Sequence, residues 1–156
     1  MKIEVGQPAP DFTLYSSDKT KISLNDYKDK AVVLLFFPLA FTRTCTKELC
    51  NIRDNISLYN NNSTNVLAIS VDSPQTLAKF KEDQKLNFTL LSDFNKNISE
   101  EYDCLYETFS LDMKGVSKRS AFVIDKNRKV QYAEVLENAG EEPNYAAIQK
   151  CLAKLI

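Results

Sequence analysis

The chain has 156 residues, enough for one domain with a substantial core, and carries 44% hydrophobic and 26% charged residues with a net charge of −1. That balance points to no nucleic-acid or membrane partner, the start Met1-Lys2-Ile3-Glu4-Val5-Gly6 lacks the apolar stretch of a secretory leader, and the expectation is a cytoplasmic protein. There is no histidine, which removes Ser-His-Asp and Cys-His catalysis and any histidine-containing zinc site.

In chain order, 12–16 and 21–24 read as two short strands joined by the polar turn 17–20, an N-terminal β-hairpin, with Ser23 or Asn25 opening a short helical turn. The run Ala31-Val32-Val33-Leu34-Leu35-Phe36-Phe37 is apolar throughout and predicts a strand buried on both faces. A helix is predicted from Thr44 to about Asn60, because Cys45, Leu49, Ile52, Ile56 and Tyr59 recur at spacings of three and four. The polar loop 60–65 leads to a second buried strand, 66–71. Ser73-Pro74 then gives a helix start with serine as N-cap and proline at the first helical position, running to about Lys85. A short strand at 88–91, a short helix at 97–102 and a hairpin of strands 120–125 and 129–135 follow. An amphipathic helix at 144–155, with Tyr145, Ile148, Leu152 and Leu155 on one stripe, closes the chain. Strands alternating with helices, then a hairpin and a last helix, imply an α/β fold: one domain, 1–156, with a central mixed sheet flanked by helices on both faces.

The segment Phe37-Pro38-Leu39-Ala40-Phe41-Thr42-Arg43-Thr44-Cys45 follows the first buried strand and places a cysteine in the first turn of a helix. Amides there have no intrahelical partner and the macrodipole is positive, so both favour the thiolate, which is the nucleophilic form. Without histidine, activation must come from Arg, Lys, backbone amides or the dipole. The four cysteines, Cys45, Cys50, Cys104 and Cys151, form no Cys-x-x-Cys pair, so no zinc ribbon or ordinary thioredoxin motif is present. In a reducing compartment they rest as thiols, and a disulfide would be transient and catalytic.

Pro38-x-x-x-Thr42-x-x-Cys45 resembles the active-site signature of the peroxiredoxins, cysteine-dependent peroxidases on a thioredoxin-like fold. Val5-Gly6-Gln7-Pro8-Ala9-Pro10-Asp11-Phe12-Thr13-Leu14 is similar to their opening strand. The segment 115–125, Gly-Val-Ser-Lys-Arg-Ser-Ala-Phe-Val-Ile-Asp, is similar to the one that supplies their active-site arginine. Within the family, 36–42 with Glu48-Leu49-Cys50 and Arg53-Asp54 looks most like the alkyl hydroperoxide reductase E branch. The Cys-x4-Cys spacing is also similar to the bacterioferritin comigratory protein branch, or peroxiredoxin Q. Arg43 stands where relatives often carry a small residue.

The resemblance implies a role for each residue. Cys45 would be the peroxidatic cysteine, attacking the O–O bond of a hydroperoxide and becoming a sulfenic acid; the minor alternative is a buried structural cysteine. Thr42 would orient the peroxide through its hydroxyl, or serve as a helix N-cap. Pro38 would shield the thiolate from water. Arg119 would lower the thiolate pKa and hydrogen-bond the reacting oxygens. Glu48 would hold Arg119 or Arg43, or be a solvated first-turn acid. Cys50 is the candidate resolving cysteine, with Cys104 a minor alternative, and Cys151 reads as core packing.

Helix geometry places Cα atoms five residues apart at roughly 8.6 Å, beyond the limit of about 7 Å for a disulfide. A Cys45–Cys50 bond therefore requires the first turns of the helix to unwind. The resemblance also implies a hydroperoxide substrate, recycling by a thioredoxin- or glutaredoxin-like protein, a monomer or homodimer, and no metal, haem, flavin or nicotinamide on this chain. Three alternatives stay open: a one-cysteine peroxidase resolved by an external thiol, a peroxide sensor using the same cysteine, and a thiol–disulfide oxidoreductase acting on proteins.

Overall fold

In the computed structural model, which describes residues 2–155, seven strands form one sheet in the order β2-β1-β5-β4-β3-β6-β7. The strands are β1 (Thr13–Ser16), β2 (Lys21–Ser23), β3 (Ala31–Phe36), β4 (Thr64–Ser70), β5 (Thr89–Ser92), β6 (Ser120–Ile124) and β7 (Val130–Val135); the helices are α1 (Arg43–Asp54), α2 (Pro74–Gln84), α3 (Asn97–Glu101) and α4 (Tyr145–Ala153). β3, β4 and β5 run parallel, as the crossovers through α1 and α2 require, and the other pairings are antiparallel.

The continuous apolar runs behave as expected. β3 and β6 are buried at every residue, and their alternate side chains feed two separate cores. On one face Val33, Leu35, Phe37, Ala68 and Val123 pack with Cys45, Leu49 and Ile52 of α1, Leu77 and Phe80 of α2, and Ile148 and Leu152 of α4. On the other, Val32, Leu34, Phe36, Ile69 and Phe122 pack with Phe12, Leu24, and Ile98, Tyr102 and Cys104 from α3 and the segment after it. Cys104 belongs to this second core, where burial pushes its thiol up to about 12. Cys151 packs at the margin of the first core and points its thiol at the Gln131 carbonyl, 3.7 Å away.

The largest departure from the predicted elements lies after α1. The helix ends at Asp54 rather than near Asn60, and a 3₁₀ turn at Ile56–Leu58 follows. Ile56 and Tyr59 still pack on the same core as Ile52, so the spacing of three and four persists although the helix does not. The start of α2 matches expectation closely: Ser73 Oγ accepts from the Thr76 amide at 3.1 Å, with Pro74 at the first helical position.

α1 is held to the sheet mainly through Leu49 and Ile52, both fully buried. Truncating Leu49 to Ala is expected to lower unfolding stability by about 3 kcal/mol in denaturant titrations. A loss under about 1 kcal/mol would show that this packing does not anchor the helix.

Candidate active site

The registers of β3 explain how distant residues converge. β3 pairs antiparallel with β6, Phe36 opposite Ser120, and parallel with β4, Phe36 opposite Ile69. Continuing past the end of β3, the antiparallel step sets Arg119 beside the segment that begins at Phe37. The parallel step brings the end of β4 alongside the loop 38–42. The site lies at the carboxyl ends of the parallel strands, where open α/β sheets place their clefts.

The loop is fixed from β4. Asp72 Oδ2 accepts from the Ala40 amide at 2.8 Å and from Ser70 Oγ at 2.6 Å, while the Asp72 carbonyl accepts from Ser92 Oγ at 2.6 Å. Pro38 is buried. Phe41 adopts φ of 67°, a left-handed conformation that costs a bulky residue on the order of 1 kcal/mol. Its half-exposed ring rests on Phe80 of α2, with centroids 5.1 Å apart.

Thr42 takes the N-cap position of α1, but its side chain does not cap the helix. The hydroxyl donates to the Leu39 carbonyl at 2.6 Å, and the first intrahelical bond runs from the Thr46 amide to the Thr42 carbonyl at 3.0 Å. The amides of residues 43–45 thus precede the helical ladder, in the region of positive dipole potential. Arg43 is exposed at the first helical position.

Cys45 is 1% exposed. Arg119, equally buried, donates through Nη1 to Cys45 Sγ at 3.3 Å and to Glu48 Oε1 at 2.7 Å, and through Nη2 to the Ala139 carbonyl at 2.8 Å. Glu48 is fully buried, so of the readings left open for it the structure selects the partner of Arg119. Its Oε2 has no protein partner, and burial pushes the carboxyl up to about 7 against the pull of Arg119. Glu142 stands nearby, bonded to Tyr145 Oη at 2.7 Å and paired with Lys47 at 3.2 Å.

The thiol of Cys45 differs from the simple expectation of a helix-activated thiolate. Burial pushes it up. Arg119, the Thr42 hydroxyl and the Leu39 backbone pull it down, Glu48 adds a further push, and in this closed arrangement the net direction is upward. The sulfur sits in the core rather than at its rim, which the sequence pattern alone did not convey.

Cys50 does not meet Cys45. Five residues on, it projects from a different side of α1 and directs its thiol at Gln84 Oε1, 3.5 Å away. Both cysteines are free thiols. Sequence reasoning missed Asp72 and the Ala139 carbonyl. Asp72 falls between the strand expected at 66–71 and the helix start at Ser73-Pro74, and its bond to Ala40 spans 32 residues.

A buried arginine on a cysteine at a helix N-terminus, on a thioredoxin-like mixed sheet, defines the class: a thiol peroxidase. The AhpC/TSA family pattern matches residues 5–133, and the chain belongs to that family. A putative peroxiredoxin Bcp of Coxiella burnetii is 41% identical over 81% of this chain and 84% of that protein. The crystal structure of a peroxiredoxin-like protein from Aquifex aeolicus superposes with a TM-score of 0.90 at 27% identity, covering 100% of this chain and 90% of the other. The peroxidoxin BcpB structure from Mycobacterium tuberculosis gives 0.82 at 30% identity, covering 98% and 96%. Among the described residues no helix is long and apolar enough to cross a membrane.

The geometry sets the sign of one titration. A charged Glu48 opposes ionisation of Cys45, so Glu48→Gln, which keeps an oxygen for Arg119, is expected to move the Cys45 thiolate midpoint to lower pH. The displacement is read from thiolate absorbance. A midpoint that rises instead would show that the charge of Glu48 matters chiefly for holding Arg119 in place.

Proposed function

We infer that Cys45 is the peroxidatic nucleophile, that Cys50 resolves it, and that a thioredoxin- or glutaredoxin-like protein restores the dithiol. The observation that carries this reading is the contact of Arg119 Nη1 with the buried Cys45 sulfur at the start of α1. A hydroperoxide entering beside Pro38 and Thr42 brings its own hydrogen-bonding groups to the sulfur. That relieves the cost of burial and leaves Arg119 and the N-terminal amides to favour the thiolate.

The thiolate attacks one peroxide oxygen. The O–O bond breaks, and the distal oxygen takes a proton and leaves as water or an alcohol. The sulfur keeps one oxygen as a sulfenic acid. Arg119 is placed to bear the negative charge that develops on the leaving oxygen. In the second step the Cys50 sulfur attacks the sulfenic sulfur, and the hydroxyl departs with the Cys50 proton as water, leaving a Cys45–Cys50 disulfide. Because the helical separation exceeds disulfide reach, the first turns of α1 unwind for this step.

The test is timed oxidation with one equivalent of hydrogen peroxide, read by intact mass and thiol titration. Wild type is expected to lose two thiols quickly, Cys45→Ser none, and Cys50→Ser to stop at a trappable sulfenic acid. The disulfide form is expected to lose amide protection within residues 44–52, from Thr46 onward, where the helical ladder begins. Fast oxidation in Cys45→Ser would overturn the assignment of the nucleophile. Unchanged disulfide formation in Cys50→Ser would overturn that of the resolving residue.

A further inference from the structure

The end of α2 holds two groups of α1 with one residue. Gln84 Oε1 accepts from the Cys50 thiol at 3.5 Å, and the Gln84 backbone carbonyl accepts from Arg53 Nη1 at 2.6 Å. The second contact follows from helix chemistry. Gln84 is the last residue of α2, and Lys85 behind it takes φ of 52°, closing the helix with bonds from the Lys85 amide to the Glu82 carbonyl and from the Leu86 amide to the Lys81 carbonyl. The Gln84 carbonyl is therefore one of the orphan acceptors at the negative end of the helix dipole, and a guanidinium is a favourable partner for it. Arg53 is further fixed by Asp54, 2.9 Å from its Nε, and by Asn87, whose side chain donates to the Arg53 carbonyl at 3.3 Å.

These contacts divide α1. Residues from Arg53 onward are tied to α2 by a charged bond and by Asn87. Cys50, one turn earlier, is tied by a single weak thiol bond, since S–H is a poor donor. We propose that Gln84 is the positioning residue of the resolving step: its side-chain oxygen holds Cys50 at rest on α2, and its release sets the rate at which Cys50 reaches the oxidised Cys45. The anchored Arg53 marks where unwinding of α1 stops. This rests on the reading of Cys50 as the resolving cysteine. In that step the Cys50 S–H bond and the Cys45 S–OH bond break, the S–S bond forms, and water leaves. Breaking the Cys50–Gln84 bond precedes it and consumes nothing.

Two substitutions of similar volume separate this role from a structural one. Leucine at 84 fills the space but accepts nothing, whereas glutamate accepts more strongly and holds the thiol proton more firmly. Both leave the backbone carbonyl for Arg53. The experiment mixes reduced full-length wild type, Gln84→Leu and Gln84→Glu with one equivalent of hydrogen peroxide. Alkylating quenches at timed intervals, read by mass spectrometry, follow sulfenic acid and disulfide separately. Disulfide formation is expected to be about two- to fivefold faster in Gln84→Leu, as loss of one modest hydrogen bond implies, and slower than wild type in Gln84→Glu. Sulfenic acid is expected to form at closely similar rates in all three. Changes in the same direction in both variants, or no change in either, overturn the role of Gln84 while leaving Cys50 as the resolving cysteine. Absence of a Cys45–Cys50 disulfide in the wild type overturns that underlying reading as well.

Discussion

The buried guanidinium of Arg119 is the interaction on which the rest of the site depends. It joins two groups of α1, the Cys45 sulfur and the Glu48 carboxyl, to the distant Ala139 carbonyl. A buried ion pair is a poor source of stability, because desolvation offsets most of the attraction. Its value here is positional. Glu48 and Cys45 sit one turn apart on α1, so a single planar cation reaches both and keeps a fixed charge beside the sulfur. Arg119 is in turn set by the sheet: it immediately precedes β6, and its carbonyl accepts from the Leu136 amide at 2.9 Å.

The same helix that makes the site also limits it. Projection from α1 puts Cys45 into the core and Cys50 against α2, on sides that a folded helix cannot bring together. In the proposed cycle one state reacts with peroxide and another forms the disulfide, and they differ in the first turns of α1. The strained Phe41 and the weak thiol bond of Cys50 lie in this part of the molecule, whereas Ile52 and Arg53, beyond Cys50, dock the end of the helix; the fully buried Leu49 lies on the unwinding side and has to leave the core.

Much of this was legible in the chain because its signals are local. The run at 31–37 is apolar throughout and that at 66–71 is apolar but for Ser70, the pattern of strands buried on both faces. Ser73-Pro74 is a helix start by the chemistry of two adjacent residues. The Pro38, Thr42 and Cys45 spacing resembled a known site, and Arg119 followed from a second matching segment. What stayed hidden is non-local. The tie between Asp72 and Ala40 depends on β3 and β4 being neighbours, and the choice of Arg119 over Arg43 as the partner of Glu48 depends on β6 lying on the other side of β3. The end of α1 was misplaced because Ile56 and Tyr59 keep their contacts with the core after the helix has stopped. The depth of Cys45 was hidden too, since spacing gives a residue's face and not how much of the fold covers it.

The measurement that bears most directly on this account is the second-order rate constant of Cys45 oxidation by hydrogen peroxide in Arg119→Met against wild type, by stopped flow, with circular dichroism to verify the fold. Methionine occupies part of the same space without charge or donors. The account predicts a folded protein whose rate falls by about 100-fold or more, the usual scale for losing a donor aimed at developing charge. A folded variant reacting within about threefold of wild type would contradict it, because the guanidinium would then be a structural tie and not the source of reactivity.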